Sequence, residues 1–69
     1  MKKSYYEFNY DKFMRLFQKS GMTQAELAGK ADLSDVSISY ICTKRTKPSR
    51  ITILKLADAF GIDYEELLL

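Results

Sequence analysis

The feature of this sequence that most directly indicates a chemistry is a run of basic side chains. Residues 40–55 contain no acidic residue and five basic ones, which are Lys44, Arg45, Lys47, Arg50 and Lys55. The flanking segments differ, because residues 1–39 carry six basic and five acidic side chains and residues 56–69 carry four acidic side chains and no basic one. Clustered ammonium and guanidinium groups attract phosphate. The run therefore predicts a phosphate-binding surface, with an ordinary solvated surface as the alternative.

Most enzymatic and metal-dependent chemistry is excluded by what the sequence lacks. The chain has no histidine and one cysteine, Cys42, so it can form neither a zinc-ligand cluster nor a Cys–His nucleophile pair. Its aspartates and glutamates do not cluster as an acid–base pair would, and no glycine-rich phosphate loop is present. We therefore expect a protein that is not an enzyme and that needs no metal and no cofactor.

The composition indicates one small cytoplasmic domain. Hydrophobic residues make up 46% and charged residues 29% of the 69 residues, as in globular proteins. No apolar run is long enough to span a bilayer, and no apolar segment typical of a signal peptide follows the basic start. The lone Cys42 cannot form an internal disulfide, which suits a reducing compartment. We interpret Cys42 as structural, with a redox sensor as the alternative.

Two short helices joined by a tight turn precede the basic run. Thr23 is a suitable N-cap for the first, and Glu26 three residues later completes a capping box. Ser34 is a suitable N-cap for the second. The spacing predicts helices over about 24–31 and 35–43 that cross at a steep angle. This is the local pattern of a helix-turn-helix.

The second helix of this pair has an inward and an outward face. At about 100° per residue, Ile38 and Ile41 fall on the side that packs in the core. The side chains that point away from it are Val36, Ser39, Tyr40 and Thr43, with Asp35 on the flank. This outward face is short-chained apart from Tyr40, so the helix could lie deeply in a groove.

The remaining sequence predicts three more helices. Asn9 can cap the first, whose apolar stripe at i, i+3, i+4 and i+7 consists of Tyr10, Phe13, Met14 and Phe17. We interpret that stripe as core packing rather than a ligand site, and Gly21 ends the helix. Ser49 can cap a fourth helix, in which we expect Ile53, Leu54, Ala57 and Phe60 to face inward. The fold class is therefore all-α, a compact five-helix bundle.

The two ends of the chain carry further expectations. Residues 1–8 are rich in aromatic side chains, and we expect an N-terminal arm packed on the body or on a partner subunit, followed by a domain over 9–69. Asp63 and Glu66 predict a capping box for the short fifth helix. Its end, Leu67-Leu68-Leu69, could lie in the core, in a dimer seam, or in both.

From about Phe13 to Leu68 the sequence resembles the Cro/C1-type (Xre-family) helix-turn-helix domains of phage repressors and their bacterial relatives. The matching segments are Gly21-Met22-Thr23-Gln24, Glu26-Leu27-Ala28, Leu33-Ser34, Ile38-Ser39, Ile41, Lys47-Pro48-Ser49, Leu56-Ala57, Phe60-Gly61-Ile62 and Glu65-Glu66-Leu67-Leu68. The resemblance implies a lambda-repressor-like fold. It also implies sequence-specific binding of double-stranded DNA by a homodimer on a two-fold symmetric operator, with the second motif helix in the major groove.

The resemblance also assigns contact residues. The positions that match base contacts in the family are Asp35, Val36, Ser37, Ser39 and Tyr40. Those expected at the DNA backbone are Thr23, Gln24, Ser34, Thr43, Lys44, Arg45, Thr46 and Lys47. Each assignment has a structural alternative: Asp35, for example, could simply favour the helix dipole at the start of its helix.

Three positions depart from the family pattern. Asp32 replaces the usual turn glycine, although aspartate tolerates the left-handed region better than most residues. Lys44 replaces the glycine that commonly ends the second motif helix, so that helix could continue or end differently. Asp35 stands where many relatives carry a neutral or basic side chain, and in the major groove it could accept a hydrogen bond from a cytosine amino group.

Two classes of function fit these observations. The first is a DNA-binding transcriptional regulator that represses by occupying a promoter. The second is a protein-interaction module, an adaptor or antitoxin-like partner, that uses the same fold with its aromatic arm and leucine-rich end. The basic loop at residues 44–47 favours the first, because an adaptor for proteins alone has no need of it.

Overall fold

The structure is a computed structural model in which residues 7–69 are described. These residues form four α-helices and one short 3-10 helix, with no β-strand among them. The elements are α1 (Tyr10–Ser20), α2 (Gln24–Ala31), α3 (Asp35–Cys42), α4 (Arg50–Phe60) and the 3-10 helix η1 (Tyr64–Leu67). The predicted arm lies outside the described residues except for Glu7 and Phe8.

The α-helices begin at the polar residues that the sequence predicts. Asn9 accepts a hydrogen bond from the Lys12 backbone N–H at the start of α1. The capping box at α2 is complete, because Thr23 and Glu26 each accept from the other's backbone N–H. At the starts of α3 and α4 the hydroxyl oxygens of Ser34 and Ser49 accept from the backbone N–H groups of Ser37 and Thr52, without a reciprocal bond. The four N-caps predicted for the α-helices are confirmed, and each satisfies a backbone donor that the helix itself cannot, whereas the fifth predicted cap, Asp63, is not formed.

The predicted count of five helices is not confirmed, because the fifth element is not an α-helix. Asp63 makes no side-chain capping bond, and η1 is a single four-residue turn of 3-10 helix. The reason lies at the other end of the described chain, because Leu68 turns extended and forms an antiparallel bridge with Phe8. Leu69 donates its backbone N–H to the carbonyl of Glu7 at 2.9 Å. The two residues after η1 thus pair with residues 7–8 and do not continue the helix.

One compact core joins these elements. Its buried side chains are Phe8, Phe13, Leu27, Ala28, Ala31, Ile38, Ile41, Ile53, Leu56, Ala57 and Leu67. The expectation that Leu54 faces inward is wrong, since Leu54 is 47% exposed and Leu56 is fully buried instead. Ile53, Leu56, Ala57 and Phe60 form the inward stripe of α4, and Leu54 lies about 100° around the helix from Ile53.

The turn between α2 and α3 uses the predicted left-handed residue. Asp32 has φ 57° and ψ 46°, and its backbone N–H bonds back to the end of α2. The next residue, Leu33, donates its N–H to the carbonyl of Ala28 at 2.8 Å. The ammonium group of Lys55 on α4 lies 3.6 Å from the Asp32 carboxylate and donates to the Asp32 carbonyl at 3.3 Å. The turn that sets the relation of α2 to α3 is therefore tied to α4.

The helices are short. The longest in residues 7–69 have eleven residues, and none combines the length and the apolar character that a membrane span requires.

Candidate nucleic-acid interface

The outward face of α3 is the centre of the candidate site. Val36 is 58% exposed and Tyr40 is 42% exposed, while Ile38 and Ile41 on the opposite face are buried. Asp35 is also exposed, and Ser37 and Ser39 are half-buried. The predicted orientation of the helix is confirmed, and the role of these side chains as base contacts stays a prediction.

Hydrogen bonds within α3 decide which of its hydroxyl groups can still donate. The Ser34 hydroxyl donates to the Ser37 hydroxyl oxygen at 3.0 Å, so the Ser37 hydrogen remains available to a partner outside the protein. Thr43 donates both its hydroxyl and its backbone N–H to the carbonyl of Ser39. Thr43 is consequently less suited to bind a phosphate than the basic residues that follow it.

The end of α3 explains how Lys44 takes the place of a glycine. Lys44 lies in the left-handed region with φ 60°. Its N–H donates to the carbonyl of Ile41 at 3.1 Å, and the N–H of Arg45 donates to the carbonyl of Tyr40 at 2.8 Å. These are the two bonds of a Schellman motif, which ends a helix with a left-handed residue. The helix therefore stops at Cys42 and turns the basic loop, residues 44–47, back beside α3.

Two basic side chains of this loop lie over aromatic rings. The Arg45 guanidinium carbon is 5.5 Å from the centre of the Tyr40 ring, and the Lys44 ammonium nitrogen is 5.7 Å from the centre of the Tyr10 ring. A cation over an aromatic face is held by the ring quadrupole. The contact with Tyr40 brings a basic group of the loop next to the outward face of α3.

A groove of about 310 Å³ lies between α3, the loop and the start of α4. Its lining residues are Ser37, Tyr40, Ile41, Thr46, Lys47, Pro48, Ser49 and Thr52. Lys47 thus shares a surface with Ser37 and Tyr40. Of the predicted contact residues, the groove brings together Ser37, Tyr40, Thr46 and Lys47, and the others of α3 and the loop do not line it.

The start of α2 supplies a second point of contact. Gln24 is its first residue and is exposed, and Thr23 before it is exposed as well. The capping box uses the N–H groups of Thr23 and Glu26, which leaves those of Gln24 and Ala25 without a partner in the helix. Such N–H groups favour an anion, whereas the Glu26 carboxylate beside them opposes it.

Cys42 lies half-buried beside the core, and burial raises the pKa of its thiol above the ordinary value. A raised pKa keeps the thiol protonated near neutral pH, and a protonated thiol is a poor nucleophile. This favours the structural interpretation of Cys42 over a redox sensor. Within residues 7–69 there is also no cluster of three potential metal ligands.

Tyr10 is the residue of this region that the sequence analysis missed. Its place in the aromatic stripe of α1 predicted core packing, and part of the ring does pack there. Its hydroxyl, however, donates to the backbone carbonyl of Thr46 at 3.0 Å. The two residues are 36 positions apart, and no local pattern in a single sequence signals such a contact.

Comparisons with known proteins agree with this geometry. A family model described as helix-turn-helix matches residues 13–67. An uncharacterized HTH-type transcriptional regulator, y4dJ of Sinorhizobium fredii (strain NBRC 101917 / NGR234), is 34% identical over 55 residues, which are 80% of this chain and 71% of that protein.

Two solved structures have a similar fold at 28% sequence identity each. The restriction-modification controller protein C.AhdI from Aeromonas hydrophila aligns with a TM-score of 0.78 over 84% of this chain and 88% of its own. The hypothetical transcription factor NHTF from Neisseria aligns with a TM-score of 0.79 over 87% of this chain and 69% of its own. With an exposed α3, a tight α2–α3 turn and a family match over most of its length, the chain belongs to the Cro/C1-type helix-turn-helix family of DNA-binding domains.

Proposed function

We propose that this protein is a transcriptional regulator of the cytoplasm that binds a specific operator as a homodimer and represses transcription by occupying it. The observation that carries the proposal is the contact of Arg45 with Tyr40, 5.5 Å from guanidinium carbon to ring centre. This contact places a guanidinium group, which can bind phosphate, beside the outward face of α3, whose side chains can contact base edges. The naming of a relative as a transcriptional regulator and of a similar structure as a controller protein supports the same function.

In this proposal α3 reads the bases. The exposed Val36 meets a thymine methyl group, and the Asp35 carboxylate accepts a hydrogen bond from a cytosine amino group. Ser37, Ser39 and Tyr40 offer hydroxyl groups to neighbouring base edges. A carboxylate would be repelled by phosphates, so Asp35 belongs at a base edge and not at the backbone.

The basic loop and the start of α2 bind the DNA backbone. Lys44, Arg45 and Lys47 are exposed and carry three positive charges on one short segment. Gln24, with the free N–H groups at the start of α2, binds a phosphate on the other side of the motif. These contacts orient α3 in the groove and carry no sequence information themselves.

A homodimer is needed because one α3 is too small a contact for tight specific binding. Large apolar side chains that remain exposed on residues 7–69 include Ile51 and Leu54 on α4 and Leu69 after η1. A second copy of the chain that covers these residues would bury apolar surface and present two α3 helices to one duplex. A two-fold dimer then requires an operator with matching symmetry.

Selection of bound duplexes from a randomised pool at two salt concentrations tests the proposal. An enriched palindrome is expected. The affinity for it should fall with salt with a log–log slope of about −5 to −8, because each neutralised phosphate releases counterions. A reporter promoter that overlaps this palindrome should be silenced by the wild-type protein.

Two double variants complete this test. Arg45→Ala with Lys47→Ala removes two positive charges from the loop, and a dimer that loses four phosphate contacts should show a slope smaller by about 3.6. Arg15→Ala with Lys19→Ala removes the same charge from the outer face of α1 and should leave the slope nearly unchanged. A wild-type slope near zero, or equal effects of the two double variants, would refute the proposal.

The exposed Ile51, Leu54 and Leu69 also favour a second candidate function, a module that binds another protein. In that case the loop variant should bind its partner as the wild type does, while substitution of Ile51 and Leu54 by serine should abolish binding. Sedimentation of the purified wild-type protein separates the two ideas. A stable homodimer that Ile51→Ser and Leu54→Ser dissociate supports the regulator, because the apolar surface is then used by the second copy.

A further inference from the structure

We propose that Tyr10 is a positioning residue of the basic loop, and that it sets the DNA affinity of the protein without touching DNA. The DNA part of this inference rests on the proposed function. The positioning itself rests on two contacts that Tyr10, the first residue of α1, makes with residues far along the chain.

The two contacts hold the loop at different points. The Tyr10 hydroxyl donates to the Thr46 carbonyl at 3.0 Å and fixes the backbone of the loop. The Tyr10 ring lies 5.7 Å below the ammonium group of Lys44 and restrains that side chain. One side chain therefore limits the motion of both the backbone and a basic group of the same segment.

Tyr10 can act in this way because its own position is fixed. Its ring meets that of Phe8 edge to face, with the ring centres 5.0 Å apart. Phe8 is buried and forms the antiparallel bridge with Leu68. Asn9, which lies between Phe8 and Tyr10 in the sequence, caps α1 and donates its backbone N–H to the carbonyl of Leu67 at 2.8 Å. The backbone just before Tyr10 is thus held against the core and η1.

The Tyr10 contacts add to hydrogen bonds that already hold another part of the basic loop. Its first half is held by the Schellman bonds of Lys44 and Arg45 to the end of α3. The motif requires Lys44 to adopt a left-handed backbone, which a lysine adopts less readily than a glycine. The Tyr10 hydroxyl bond lies at Thr46, beyond those two bonds, and so holds the second half of the loop.

A loop that is already ordered binds phosphates without a further loss of conformational freedom. Loss of one hydrogen bond between neutral groups changes an equilibrium about two- to tenfold. Tyr10→Phe removes the hydroxyl and keeps the ring. We therefore expect each subunit of this variant to bind DNA about two- to tenfold more weakly, equally for operator and unrelated duplexes, with the same salt slope.

The test compares Tyr10→Phe with the matched variant Tyr64→Phe. Tyr64 also lies under a cation, with the Arg50 guanidinium carbon 5.6 Å from its ring centre, but Tyr64 belongs to η1 and its cation comes from α4 instead of the loop. Amide hydrogen exchange and backbone relaxation of the free protein report the order of residues 44–47. Affinity is then measured at a temperature where urea titration shows that all three proteins are fully folded.

Faster exchange and larger amplitudes of motion confined to residues 44–47 in Tyr10→Phe, with a weaker affinity and an unchanged salt slope, are the expected result. Exchange in the loop that equals that of the wild type would overturn the inference, as would an equal loss of affinity in Tyr64→Phe. If the wild-type protein does not bind DNA, the proposed function fails. The exchange of the free protein then still decides whether Tyr10 positions the loop.

Discussion

Lys44 combines a left-handed backbone with a charge that we propose contacts phosphate, and substitutions can separate the two. Lys44→Gly and Lys44→Ala both remove the ammonium group and its contact with the Tyr10 ring. They differ in how easily the new residue adopts φ 60°, the value at this position. A comparison of these two variants therefore isolates the backbone term, because the loss of charge and of the ring contact is common to both.

The magnitude follows from the left-handed geometry. A left-handed conformation costs a non-glycine residue about 1–2 kcal/mol, and glycine avoids this cost. Glycine in turn loses about 0.4–1 kcal/mol through the greater freedom of its unfolded chain. At the midpoints of these two ranges, Lys44→Gly should therefore be more stable than Lys44→Ala by about 0.8 kcal/mol, or roughly 3–6 °C in melting temperature.

Urea titration gives the two unfolding free energies, and DNA titration at several salt concentrations gives the effect on binding. Both variants should show the same affinity and a slope smaller by about 1.8 than that of the wild-type dimer, because each subunit loses one phosphate contact. If Lys44→Ala is at least as stable as Lys44→Gly, the left-handed end of α3 is wrong. If the slope equals that of the wild type, Lys44 does not bind phosphate.

Two further predictions concern the core and its edge. Leu56→Ala should lower the free energy of unfolding of the monomer by about 2–5 kcal/mol because the side chain is fully buried, whereas Leu54→Ala should change it by less than about 1 kcal/mol; equal losses in urea titration at a concentration too low for dimers would contradict the assignment of the α4 faces. Burial raises the pKa of the Cys42 thiol in the folded state. The contribution of this thiol to the free energy of unfolding is therefore fully present below the thiol pKa of the unfolded chain, and it is lost as the pH rises through the pKa of the folded state. Cys42→Ala should lack this alkaline loss, and alkylation of folded wild type at pH 8 should be slower than that of the urea-unfolded chain.

The features that could be predicted from the sequence depend on neighbours within a few residues. The caps at Asn9, Thr23, Ser34 and Ser49 each involve a backbone group three residues away, so a short stretch of sequence contains both partners. The left-handed turn at Asp32 is local in the same sense. For this reason the helix-turn-helix and the outward face of α3 were predicted correctly.

The features that could not be predicted depend on partners far along the chain. The fifth helix was not confirmed as an α-helix: Leu68 pairs with Phe8 after a single 3-10 turn, and neither sequence segment alone indicates the other. Leu54 was placed inward because apolar residues are frequent on both sides of α4, and only the packed core shows that Leu56 has the buried position. The hydrogen bond from Tyr10 to Thr46 is another contact between distant segments.

The bridge between Phe8 and Leu68 also bears on the order in which a newly made chain can fold. The α2–α3 contacts join segments that are close in the sequence, whereas the bridge joins segments that are far apart. A contact that closes a long loop costs more chain entropy and forms later than local contacts. The corner that fixes Tyr10 is therefore expected to form after the α2–α3 contacts, so a folding chain could display α3 before this corner is complete.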